Sequence, residues 1–292
     1  MVNALKNHNL EGVYFLICSQ LFLASMDAMG KSLSATFSPL VLVWARYSVL
    51  FLIILAFKGR AVLQLAISSC YTKTHILRAT LLLVTSLLGL YALQLLPLAE
   101  TAGLAFTSPL FAILLARFLL GEHVGLLRWL CMLGVILGAF LVIRPGSKLS
   151  MEGVFLVISA SISFAFYQVL TRKLALKEGG LILLAYPAAL GTFLPAILVP
   201  FVEGGNSAYD LMNLPLIPLL GLLSGIGHYF SNRAFALTSV SRLAPFMYLQ
   251  LLWAVLLGWL FFGQLPDVLS YCGFVLIIAF GLISTLKNSL LR

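Results

Sequence analysis

The sequence predicts an all-α polytopic membrane protein, with ten transmembrane helices arranged as two inverted five-helix repeats. Composition is the first observation behind this. Of the 292 residues, 62% are hydrophobic and 9% charged, whereas a water-soluble domain carries roughly 25% charged residues. Mean hydropathy is +1.09, and roughly 20 consecutive apolar residues suffice to cross a ~30 Å hydrocarbon core. The second observation is an internal repeat. Gly12-Val13-Tyr14 to Lys31 falls on Gly153-Val154-Phe155 to Arg172 at an offset of 141 residues, and Gly121-Glu122 falls on Gly263-Gln264 at 142. Each copy, 1–148 and 149–292, reads as five apolar segments. Five is odd, so the second copy enters the bilayer from the side on which the first left it. Inverted copies of one bundle build a site that faces either side of a membrane in turn.

The elements follow as apolar runs between polar breaks. Span 1 is 13–33 and reads as a retained span, because Asp27 and Lys31 lie inside it. Span 2 is 39–57 and ends at Lys58. The stretch 58–75 then reads as a long loop whose Leu63, Leu65, Ile67 and Tyr71 lay it flat on the membrane. Spans 3 and 4, 76–95 and 99–119, are divided only by Leu96-Pro97-Leu98, where Pro97 and Glu100 form the turn signal. Gly121 caps span 4, Glu122 marks its end, and span 5 covers 124–143. The second copy gives 152–173, 181–201, 215–236, 242–262 and 267–286, with 202–214 as an acidic loop carrying Glu203 and Asp210.

Charge supplies the third observation. With the N-terminus inside, 14 of the 18 basic residues fall on the inner side, among them Lys58, Arg78, Arg117 and Arg172; Lys31, Arg46, Arg144 and Lys148 do not. Glu100, Glu152, Glu203, Asp210 and Asp267 fall outside. The positive-inside rule therefore places both termini in the cytoplasm and independently requires an even span count. The net charge of +9 orients the chain in lipid; no basic stripe points to nucleic acid. Cys18, Cys70, Cys131 and Cys272 form no CxxC pair and read as small apolar residues.

Short motifs recur in order in both halves. The first has Pro97-Leu98-Ala99-Glu100-Thr101-Ala102, Ser108-Pro109-Leu110-Phe111 and Phe118-Leu119-Leu120-Gly121-Glu122, then Gly134, Gly138 and Arg144-Pro145-Gly146. The second has Ala244-Pro245-Phe246, Trp253 to Trp259, and Phe261-Phe262-Gly263-Gln264-Leu265-Pro266, then Gly273 and Gly281. In these the chain resembles the drug/metabolite transporter superfamily, EamA type, over essentially its whole length. It departs from the family at Gln264, where Glu is frequent, and at Leu251, which stands opposite Pro109. The resemblance implies a central cavity and movement of small organic solutes across a bacterial inner membrane.

Asp27 is the acidic residue deepest in a span. An isolated carboxylate there costs about 2.5–3.5 kcal/mol, so it needs a partner or a proton. Lys31, at i+4, and Arg46, at similar depth in span 2, are the candidate partners; substrate binding or proton coupling is the alternative. Asp27 maps onto Gln168, Lys31 onto Arg172 and Gln20 onto Ser161, so spans 1 and 6 both carry a polar stripe. Tyr91 and Gln94 on span 3, Ser108 on span 4, His228 and Asn232 on span 8, and Tyr248, Gln250 and Trp253 on span 9 complete the candidate set. His228 either titrates near neutral pH or packs through hydrogen bonds. Pro109 frees a carbonyl in mid-helix, which either lines a polar cavity or serves a hinge, or else the proline simply kinks span 4.

No metal-ligand set, cofactor motif, phosphate loop or hydrolase signature occurs. The expected function is a secondary carrier working by alternating access, driven by a gradient such as protons. Its expected cargo is an exported small polar or amphipathic metabolite, such as an amino acid derivative. Uptake of a heteroaromatic nutrient such as riboflavin or S-adenosylmethionine, which the resemblance allows, is the alternative. An intramembrane enzyme or an accessory subunit is the reading from another class. The expected partners are the small-molecule substrate and the lipid bilayer, with the chain a monomer or homodimer.

Overall fold

A computed structural model describes all residues except 1, 68, 121–124, 144–148, 176, 179, 204–214, 238–242, 244–245 and 291–292. Regular structure among the described residues is helical: α1 (Val2–Leu33), α2 (Pro39–Ile67), α3 (Thr72–Leu95), α4 (Leu98–Ala105), α5 (Ser108–Leu120), α6 (Leu126–Ile143), α7 (Met151–Ala175), α8 (Gly180–Glu203), α9 (Leu216–Leu237), α10 (Leu249–Phe262) and α11 (Val268–Leu290). Among the described residues six stretches are long and apolar enough to cross a membrane, and α4 with α5 form one of them. Four shorter apolar helices stand at the remaining spans. The chain is a multi-pass membrane protein. Its outer surface agrees: Phe118, Phe155 and Val268 are 77%, 72% and 78% exposed, an arrangement that water would penalise and lipid does not.

The two halves interleave. α1 packs on α9, and its repeat mate α7 packs on α3, the mate of α9. α2 pairs with its own mate α8, and α6 with its mate α11. The main helix contacts thus run between halves, as expected of two copies related by a pseudo-twofold axis. Phe106 and Tyr248 are mates at the 142-residue offset, and their rings meet at 4.9 Å. The end of the bundle that carries the start of α1 is called proximal below, and the opposite end distal. A large apolar cluster including Met26, Phe37, Leu42, Leu90, Leu93 and Leu220 seals the distal end.

Three expectations are corrected. The stretch 58–75 is not a long flat loop: α2 runs on to Ile67, because 58–67 contains no proline and no turn cluster. As a helix α1 starts at Val2, and its apolar span of Leu10–Leu33 agrees with the expected span 1. Span 4 is not one kinked helix. It breaks at Phe106-Thr107, where the Leu110 N–H turns back to the Thr107 carbonyl at 3.0 Å. Pro109 then sits in the first turn of α5, where a proline costs little. The second copy breaks the same way with Leu251 in the place of Pro109, the Leu251 N–H bonding the Tyr248 carbonyl at 3.0 Å. The break belongs to the repeat and not to Pro109. Finally, Glu100 and Arg78 are not surface charges: they are 6% and 0% exposed. Glu122 and the 204–214 loop lie outside the described residues. α10 ends on Gly263 at φ 63°, a left-handed cap suited to glycine.

Candidate functional site

Four helices from both copies bring three ionisable residues and a glutamine together. α1 supplies Asp27, α2 Arg46, α9 His228 and α10 Gln250. α1 and α9 approach closely because Gly227 has no side chain: a Cβ there would stand 2.9 Å from Leu23 Cδ2. Ser19 pins the contact by donating to the Gly227 carbonyl at 2.8 Å. Sequence reasoning missed Ser19; a serine beside Gln20 on the polar stripe was the available signal.

Gln250 Nε2 donates to Asp27 Oδ2 at 3.2 Å. Neither expected ion pair of Asp27 forms. Among the described residues no cation comes within 4 Å of its carboxylate, although Arg46 acts on both Asp27 and His228 through its charge. Arg46 instead lies over the Tyr47 ring at 5.0 Å, with Nη1 3.6 Å from Met26 Sδ. Its Nε, the Trp253 Nε1 and the Ser48 hydroxyl are buried and have no hydrogen-bond partner among the described residues. Gln250 and Trp253, at i and i+3, share a helix face. Asp27, Arg46, His228, Gln250 and Trp253 are all half-buried. The arrangement presents a carboxylate and a guanidinium that do not pair, with an imidazole and an amide beside them and the Trp253 indole N–H one turn along α10 from Gln250. In the other copy the positions of Asp27 and Arg46 are held by Gln168 and Pro187, so the cluster is not duplicated.

Lys31 has a different task. Pro97 ends α3 and leaves its last carbonyls without helical partners. Lys31 Nζ donates to those of Leu93, at 2.6 Å, and Leu96, and its charge suits a helix C-terminus. It also lies 5.6 Å from the Phe262 ring. Gln94, another candidate, is exposed and donates to the Ser34 carbonyl at 2.8 Å. Both therefore tie the distal ends of α1 and α3 and do not join the Asp27 cluster. Gln20 is buried, Ser108 is buried at the start of α5, Tyr91 is exposed and Gln168 half-buried. None of these four is hydrogen-bonded to the cluster. Tyr248 reaches Gly281, where a Cβ would meet its hydroxyl at 1.9 Å. The side chains of Asn232 and Arg172 lie outside the described ones.

Lys31→Met leaves two carbonyls unsatisfied in apolar surroundings, at about 1–3 kcal/mol. The expected result is a melting temperature in detergent lowered by several degrees, with the KM of any transported solute unchanged. A changed KM with unchanged melting would put Lys31 in the site instead.

A model of the EamA-like transporter family matches residues 10–144 and again 151–286. The "S-adenosylmethionine uptake transporter" of Rickettsia prowazekii (strain Madrid E) is 25% identical over 283 residues, covering 95% of this chain and 93% of that protein. The "Riboflavin transporter" of Vibrio cholerae serotype O1 is 24% identical over 283 residues, covering 94% and 93%. The "Pseudopaline exporter CntI" of Pseudomonas aeruginosa (strain UCBPP-PA14) is 27% identical over 272 residues, covering 92% and 93%. A solved crystal structure shares the fold with a TM-score of 0.64 at 18% identity, over 98% of this chain and 99% of that one.

Proposed function

Because the chain belongs to the EamA-like transporter family, matching it once in each half, we propose that it is a secondary carrier that exports a small solute bearing both a cationic and an anionic group, as an amino acid derivative does. The observation that carries this is the separation of Asp27 from Arg46. Two opposite charges held in one half-buried space without closing on each other can each take the opposite group of a zwitterion. Transfer of such a solute through lipid unaided is costly, and paired protein charges offset that cost. The buried, unpartnered Trp253 Nε1 and Arg46 Nε add donors for a carboxylate. The two interleaved copies rearrange around the site, driven by a gradient, with protons the leading coupling ion. The carrier sits in a bacterial inner membrane as a monomer or homodimer, with both termini in the cytoplasm. A second reading is uptake of a heteroaromatic solute, favoured by relatives named as S-adenosylmethionine and riboflavin transporters.

The test is purified full-length protein in liposomes, with uptake and efflux of a labelled panel measured with and without a pH gradient. The panel holds zwitterionic amino acids, their amides and esters, S-adenosylmethionine and riboflavin. Movement of zwitterions in preference to their singly charged derivatives supports the first reading, and preference for the heteroaromatic solutes supports the second. No movement of any compound counts against a self-sufficient carrier.

A further inference from the structure

Where α3 meets α7 and α8, the proximal end of the bundle closes by different chemistry from the matching junction of α9 with α1 and α2 at the distal end, where Lys31 ties α1 to α3 and not to α9. Arg78, on α3, is 0% exposed. Its Nη1 donates to Thr171 Oγ1 at 3.2 Å and to Tyr167 Oη at 3.5 Å, both on α7, and its Nη2 donates to the Leu183 carbonyl on α8. The guanidinium lies 5.2 Å from the Tyr167 ring centre. Every acceptor is neutral, and among the described residues Nε has none and no carboxylate stands within 4 Å of the guanidinium.

One turn before Arg78, a second layer closes over it. His75, also 0% exposed, bonds the Glu178 carboxylate between α7 and α8. The His75 ring stacks on Tyr186 at 4.4 Å, and Ser69 donates to the other Glu178 oxygen at 2.6 Å. Burial is the largest single influence on the Glu178 carboxyl and raises its pKa, but the hydrogen bonds from Ser69 and His75 and the charge of His75 together outweigh it and hold the carboxyl below its ordinary value.

The repeat shows what the other end has in these places. Offsets of 141 to 142 residues carry Arg78, Tyr167, Thr171 and Leu183 onto Leu220, Met26, Gly30 and Leu42, and the His75–Glu178 pair onto Ile217 and Phe37. Leu220, Met26, Leu42 and Phe37 belong to the distal apolar cluster and Ile217 packs against it, and Leu220 lies 4.0 Å from where a Gly30 Cβ would be. The same scaffold position is thus a guanidinium latch at one end and a leucine plug at the other.

The two seals respond differently to opening. An apolar seal loses only by opening, because its surface meets water. A guanidinium buried without a carboxylate gains hydration when it opens, which offsets the lost hydrogen bonds. We propose that Arg78 is a gating residue of the transport cycle that makes the proximal end the more readily opened of the two. It acts as a positioning residue and not as a solute contact. This rests on the alternating-access reading above.

The test uses full-length protein with its native cysteines replaced and paired spin labels read by pulsed distance measurement. Labels on Leu77 and Lys173 report the proximal end, and labels on their mates Leu219 and Ser32 report the distal end; all four positions are exposed. Arg78→Leu installs the distal plug, and the open fraction at the proximal end is expected to fall roughly threefold or more, with distal distances unchanged. Arg78→Gln, which keeps donors and drops the charge, is expected to shift the same way and carries the test if the leucine variant does not fold. Arg78→Lys is expected to retain opening. Wild-type open fractions in the folded leucine and glutamine variants would overturn the latch alone. A wild type static at both ends under every condition would overturn the carrier reading and the latch with it.

Discussion

Asp27→Asn is expected to lower transport of the preferred zwitterion by roughly 30-fold, since truncating one side of a desolvated charge contact costs about 2 kcal/mol or more. The substitution is a stringent one because it keeps the shape of the site. Asparagine retains a carbonyl oxygen to accept the Gln250 amide that now bonds Asp27 at 3.2 Å, so melting temperature and helical content are expected to hold. What is removed is the negative charge opposite Arg46. A solute with a carboxylate and no ammonium should lose much less, because Arg46 still serves it. Measured in liposomes, unchanged zwitterion transport in a folded Asp27→Asn protein would take Asp27 out of solute recognition.

Gly138→Val is expected to destabilise the folded molecule. α6 and α11 cross where Gly138 and Gly273 meet backbone to backbone. A Cβ on Gly138 would stand 2.7 Å from the Gly273 carbonyl oxygen, and one on Gly273 2.6 Å from that of Gly138. Backbone cannot swing aside as a side chain can, so the helices must part. Close approach of small residues is what holds helices together in lipid, where no hydrophobic drive operates between them. Overpacking of this kind costs about 1–3 kcal/mol, and a melting temperature in detergent lowered by roughly 5 °C or more follows. Gly89→Val is the control, because a Cβ there meets nothing within 4 Å and should shift melting only by its helix propensity. Equal shifts in the two variants would show that the crossing is not close in the working protein.

The membrane class, the repeat and the division of spans were legible in the chain because each rests on local pattern. Apolar runs of bilayer length mark the spans, and Pro97 marks the turn between α3 and α4. The repeat survives in spacing even where its chemistry has diverged. Reading failed where a residue's environment is set by distant segments. Asp27 and Lys31 look like an i,i+4 pair. Yet Lys31 is drawn to carbonyls that Pro97 leaves unpaired on α3, while Asp27 meets Gln250 across the other copy. Pro109 appeared to bend span 4, but the break recurs at Tyr248 with no proline at the matching position. Arg78 read as one more cytoplasmic charge and is fully buried.

By itself the sequence determined the frame: two copies, an odd number of spans in each, and therefore an inverted pair. That follows from burial of apolar runs in lipid and needs no contact between distant residues. Only the tertiary structure decided the partners. Interleaving α1 with α9 and α3 with α7 sets charge and hydrogen-bond neighbours across more than a hundred residues of chain. Desolvation then makes each of those neighbours matter. A cluster with separated charges and two unlike seals arises from one duplicated scaffold in this way, because the fold chooses which of the mismatched residues face each other.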